Sequence, residues 1–164
     1  MGMVMYLRRA SPSDVAALRA NPAGLSDFAF EQGEVEDLID FDKAWHALHF
    51  LLTGAPYDTD SPLGIIAGQA EKVSDGELVG DEFWIITPDA MQAFDSAFRQ
   101  LDRSELASRL DISAMAEHDI YMADAFGEDG EEDALEYILQ DEPALRRFAT
   151  RCVAAGDGAV RILA

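Results

Sequence analysis

Lysine is nearly absent from this chain. Lys43 and Lys72 stand beside ten arginines, and these 12 cations face 32 acidic residues. A net charge of -20 excludes general nucleic-acid binding, which needs a basic surface to displace counterions from phosphates. It disfavours anionic membrane surfaces for the same reason. Cys152 is the only cysteine, so an intrachain disulfide and a cysteine-rich zinc site are both excluded; on a helical pattern it reads as a small core residue. No apolar run approaches the roughly 20 residues that cross a bilayer. Arg8 and Arg9 follow the short apolar run Met3-Val4-Met5-Tyr6-Leu7, the reverse of a secretory signal. Tyr6 stands where a myristoylation motif beginning at Gly2 requires Ser or Thr. The expected location is the cytoplasm.

Chemical motifs are missing as well. There is no Gly-x-x-x-x-Gly-Lys-Ser/Thr loop, no Gly-x-Gly-x-x-Gly after a strand, and no Gly-x-Ser-x-Gly elbow. An EF-hand frame around Gly130 puts Gly127 at its third position, and one around Gly76 puts Val73 there, so both fail. Among 32 acidic residues, carboxylate pairs arise by chance and single out no acid and nucleophile.

What is present is enough apolar residue for one domain. At 164 residues and 49% hydrophobic, such a chain buries roughly 70% of the surface its unfolded form exposes. Met3 to Arg8 reads as a first strand. Ser11-Pro12-Ser13-Asp14 opens a helix to about Ala20, ended by Asn21-Pro22. Residues 23 to 40 carry apolar anchors in an acidic segment and predict a short helix and a loop. Asp40 or Asp42 is expected to cap a helix closed by Thr53-Gly54. Turn-formers crowd residues 55 to 80, with Leu63 to Ala67 as the ordered piece. Phe83-Trp84-Ile85-Ile86 predicts a strand, and Thr87-Pro88-Asp89 a helix to about Gln100.

Further helices are expected over 101 to 110, 111 to 117, 131 to 140 and from Asp141-Glu142-Pro143 onward, with an acidic turn at Gly127 to Gly130. Ala159 to Leu163 reads as a terminal strand that joins the first. The expected fold is α+β: a single compact domain over residues 1 to 164, its helices packed around a small mixed sheet that includes strands from both chain termini.

The segment Asp40 to Gly54 holds two of the three histidines and one of the two tryptophans. Trp45, His46 and His49, with Trp84 at a strand entry, are the candidate ligand-binding residues, since imidazoles beside large aromatics can supply acid-base chemistry near neutral pH. A helical wheel sets His49 with Trp45, Leu48 and Leu52, and His46 with Lys43 and Phe50. With His118 on another element, no metal site and no cofactor are expected, and no catalytic residue is assigned.

The run Asp42-Lys43-Ala44-Trp45-His46-Ala47-Leu48-His49-Phe50-Leu51-Leu52-Thr53-Gly54 resembles the YfbM-like family of small bacterial proteins. Met1-Gly2-Met3 with Tyr6-Leu7-Arg8 and Ser11, the Thr87-Pro88 helix start, and Leu135-Glu136-Tyr137-Ile138-Leu139 are similar too, so the likeness spans nearly the whole chain. It implies a compact α+β domain in bacterial cytoplasm and no assigned molecular function. Where that family carries a glycine-rich stretch with proline and arginine, this chain has Gly80-Asp81-Glu82-Phe83-Trp84, and any anion-binding role for that arginine is lost.

Two functions remain in view. The first is a non-enzymatic acidic interaction protein, of inhibitor or immunity type, that engages a basic protein through a one-signed field. The second is a small-ligand-binding protein or enzyme with a pocket lined by Trp45, His46 and His49. A monomer or weak homodimer is expected in either case.

Overall fold

The apolar runs at the two ends of the chain meet inside one sheet. The computed structural model describes residues 2–73 and 83–164; the turn signals at Asp75, Gly76 and Gly80, and the Gly80-Asp81-Glu82 departure, lie outside the described residues. Strand β1 (Met5–Ala10) pairs with β5 (Gly158–Leu163) from Met5 opposite Leu163 to Ala10 opposite Gly158. Val4 and Ala164 extend that ladder with two reciprocal main-chain bonds of 2.7 and 2.8 Å. The five strands run in the order β2-β1-β5-β4-β3, where β2 is Leu38–Asp40, β3 is Glu71–Val73 and β4 is Phe83–Ile86. Every pairing is antiparallel, so the expected mixed sheet is corrected.

Alternation along the strands divides the core in two. Ala10, Phe83, Ile85, Val160 and Ile162 face one side, where they bury Val15 and Leu18 of α1 (Pro12–Ala20) together with Leu25 and Ala29. Met5, Leu7, Ile86 and Ala159 face the other, beneath α2 (Trp45–Thr53), α3 (Pro88–Arg99), α4 (Arg103–Ser108), α5 (Ile112–Glu117), α6 (Ala123–Asp129), α7 (Glu131–Ile138) and α8 (Glu142–Ala155). The domain is α+β, with helices on both faces of a sheet built from both termini.

Helix starts follow the sequence signals where a side chain can cap. Ser11 and Asp14 form a reciprocal capping box, and Thr87 Oγ1 accepts the Ala90 N–H at 3.1 Å. The central helix departs from expectation. It starts at Trp45 after Ala44, with no side-chain cap; Asp42 takes a positive φ of 47° and accepts the Tyr137 hydroxyl at 2.7 Å instead. At the other end Gly54 adopts the left-handed conformation (φ 72°), and Arg109 Nη1 donates to the Leu51 and Leu52 carbonyls, each at 3.1 Å. A cation on the last carbonyls complements the helix dipole.

The expected acidic turn at Gly127 to Gly130 is instead the end of α6. β3, a three-residue edge strand, replaces expected loop, and residues 23 to 40 form three short helical turns before β2.

Candidate functional site

Helix α2 is apolar on all sides, and its residues from Trp45 to Leu52 are all buried. Trp45 donates its indole N–H to the Met3 carbonyl at 3.1 Å and stacks on the His46 ring, the centroids 4.8 Å apart. His46 accepts the Tyr121 main-chain N–H on Nδ1 at 2.9 Å. Its Nε2 therefore carries the proton, donated to the Pro56 carbonyl at 2.7 Å. His49 donates Nε2–H to the next carbonyl, that of Tyr57, at 2.8 Å; its buried Nδ1 has no partner.

The two imidazoles thus grip consecutive carbonyls of one segment, which corrects the separation read from the helical wheel. Three residues advance a helix by 300°, only 60° short of a full turn, so positions three apart share a face. Burial pushes both rings below the ordinary histidine pKa of 6.5, His49 to about 4. Neither is charged at neutral pH. Among the described residues no group of three or more His, Cys, Asp or Glu side chains converges as a metal site would need.

The segment the histidines hold forms one wall of a cavity of about 470 Å³. Its walls bring together Trp45 and Trp84, with Met5 and Leu163 from the sheet, Tyr57 and Asp58 from the held segment, and Ala67 to Ala70 opposite. His46 and His49 do not line it among the described residues; they stand behind the wall. The sheet register explains the floor, because Leu7, Arg161, Trp84 and Lys72 lie in one cross-strand row. Tyr57 and Asp58 are exposed at the rim.

Arg161 is the residue that sequence reading missed. It sits on the central strand of the sheet and is 4% exposed. Nη1 donates to the Ile65 carbonyl at 3.0 Å and Nη2 to the Gly68 carbonyl at 2.9 Å. The guanidinium carbon lies 5.1 Å from the centre of the Trp84 ring, within cation-π range. Those carbonyls are fixed by a tight turn in which the Gly68 N–H donates to the Gly64 carbonyl at 2.9 Å; a Cβ on Gly68 would overlap that same oxygen.

Among the described residues no carboxylate pairs with Arg161. Burial lowers its pKa to about 10, with Asp58 acting in the opposite sense, so it keeps its charge at neutral pH. A guanidinium has five N–H groups, and three of them have no protein acceptor among the described residues. The available signal in the sequence was a lone arginine inside the otherwise apolar Ala159-Val160-Arg161-Ile162-Leu163 strand, a placement that burial makes costly without a partner.

Fold and site together define a small α+β protein with an aromatic cavity over the middle of its sheet. The family model described as "Domain of unknown function (DUF1877)" matches residues 1–162, and the chain belongs to that family. The crystal structure of a protein of unknown function, YfbM from Escherichia coli, is similar in fold. Its TM-score is 0.72 at 22% identity, and the match covers 98% of this chain and 99% of that one. At that identity the likeness carries the fold alone. A comparison with curated proteins returns no match. Among the described residues no helix is long and apolar enough to cross a membrane.

Proposed function

We propose that this protein binds a small organic molecule in the cavity between Trp45 and Trp84, without transforming it. The observation that carries this reading is a cavity of about 470 Å³ walled by both tryptophans of the chain, with a buried guanidinium at its floor. That volume lies in the range of small-molecule sites, which are mostly apolar with a few fixed polar groups. The imidazoles that would supply acid-base chemistry are neutral, each bonded through Nε2 to a carbonyl of the supporting segment and absent from the cavity lining among the described residues, which favours binding over catalysis.

Because Trp45 and Trp84 are the only tryptophans, intrinsic fluorescence reports on this cavity. A metabolite library screened by fluorescence and thermal shift is expected to yield ligands whose signal weakens in Trp84→Ala. A library in which every hit binds wild type and Trp84→Ala equally, or in which there is no hit, refutes the reading.

The surface supports a second reading, an acidic protein that engages a basic partner. Asp124, Glu128, Asp129, Glu131, Glu132, Asp133 and Glu136 are all exposed, and no Lys, Arg or His occurs between His118 and Arg146. A one-signed face of this kind accelerates encounter with opposite charge. Capture of a basic protein from native cytosol at low salt, lost at high salt, is the expected result; recovery of none counts against it.

A further inference from the structure

We infer that the cavity ligand is a monocarboxylate carrying a flat apolar body, with its carboxylate on Arg161. The inference rests on the small-molecule reading above and specifies the chemistry of the same site. A buried guanidinium is retained in a sheet only if its charge is answered, because taking an ion out of water is costly. Two main-chain carbonyls answer part of it, and three N–H groups remain free of protein acceptors among the described residues. A planar carboxylate matches the fork geometry of such a group through paired N–H···O bonds. Trp45 and Trp84 in the cavity wall supply apolar surface against which an aromatic or similarly flat body packs.

Two observations set the charge at one. Among the described residues Arg161 is the only arginine lining the cavity, whereas a phosphate dianion ordinarily draws on several cations or on a run of main-chain N–H groups. Asp58 also stands at the rim, and in a chain of net charge -20 a dianion meets about twice the repulsion of a monoanion.

The other buried arginine without a carboxylate partner differs in its surroundings. Arg8 spends Nη1 and Nη2 on the Glu34 and Gln32 carbonyls. Its cleft already contains the carboxylates of Asp14, Asp37 and Asp157. An anion has a place at Arg161 and none at Arg8.

The test is calorimetric titration of the wild-type chain with 3-phenylpropionate, 4-hydroxyphenylacetate and indole-3-acetate, each beside its primary amide. The amides keep shape and one acceptor oxygen but lose the charge and the second acceptor. At least one acid is expected to bind roughly tenfold or more tighter than its amide, the scale of a charge-assisted hydrogen bond. Arg161→Met is expected to erase that ratio and Arg161→Lys to retain part of it. Acid and amide binding equally to wild type overturns the carboxylate inference while leaving the small-molecule reading intact. No binding by any pair, together with an empty metabolite screen, overturns both. The acid-to-amide ratio is measured on wild type, so the outcome stands even if Arg161→Met does not fold.

Discussion

Protonating His49 should weaken this protein in a pH range where its carboxylates stay ionised. His49 is fully buried, its Nε2–H is fixed on the Tyr57 carbonyl, and no acceptor meets Nδ1. Burial, together with the nearby His46 and Arg161, holds its pKa at about 4 against an ordinary 6.5. The folded-state value is the lower one, so between those values the unfolded chain binds the extra proton. Stability is then complete above about pH 6.5 and is lost as pH falls toward 4. A shift of this size corresponds to about 3 kcal/mol in full, of which about 2 kcal/mol falls between pH 7 and pH 5.

For a domain of this length that loss is a drop of about 4 to 8 °C in Tm. His46 acts in the same direction, since a proton on its Nδ1 would face the Tyr121 N–H it now accepts. Urea denaturation of wild type and His49→Gln at pH 7, 6 and 5 isolates the contribution, because glutamine keeps a donor for the Tyr57 carbonyl and does not titrate. The stability difference between the two proteins should shrink by about 2 kcal/mol from pH 7 to pH 5. Parallel pH curves for wild type and variant would refute the assignment of His49 as a neutral, sealed imidazole.

Three further outcomes follow from other parts of the fold. Gly68→Ala forces a methyl onto the Gly64 carbonyl oxygen and should cost about 1 to 3 kcal/mol in chemical denaturation; it should also weaken acid binding, because the displaced Gly68 carbonyl orients Arg161. Unchanged stability would refute the tight-turn argument. Asp37, 4% exposed, joins Arg9 at 2.8 Å and Arg151 at 2.9 Å, and the Arg9 hydrogen bond leads in holding its pKa near 2. Asp37→Asn should destabilise by about 1 to 3 kcal/mol, between the scales for exposed and buried pairs, because the arginines are partly exposed and Arg9 keeps Asp157; a loss below about 1 kcal/mol would reduce the network to a surface one. The Cys152 thiol is buried, and burial pushes its pKa up to about 12. It should resist iodoacetamide in native buffer and react once urea unfolds the chain; rapid native labelling would contradict its place on the buried face of α8.

Much of the sheet was legible because its strands are apolar runs with hard stops. Met3 to Arg8 and Ala159 to Leu163 announce their own pairing, and Phe83 to Ile86 ends at the Thr87-Pro88 cap. Helices with a capping side chain, such as α1 and α3, were legible for the same local reason. β3 was not, since Glu71-Lys72-Val73 is made a strand only by pairing with β4, a tertiary effect that propensity does not contain. α6 was hidden by Gly127 within it and by its start at Met122, which takes a positive φ of 71° and offers no cap.

The site divides similarly. Trp45 and Trp84 were nameable because tryptophan is scarce and large. Arg161, Asp58 and Gln69 come together only when β5, the held segment and the turn after Gly68 are assembled. The histidines drew attention for their spacing, yet their position is behind the cavity, where they set the path of the chain that forms its wall.

The sheet is joined at a single seam. β1 with β2 and β4 with β3 are separate antiparallel pairs that touch one another only through β5. Removing six residues, Gly158–Leu163, would leave two two-stranded ribbons with their inner edges bare, and isolated ribbons of that size are marginal in water. The same six residues carry Arg161. A chain in which this segment has not yet docked therefore has neither a continuous sheet nor a cavity floor, so ligand binding is expected to report on completion of the fold itself, and a ligand that grips Arg161 would act as a clasp across the seam.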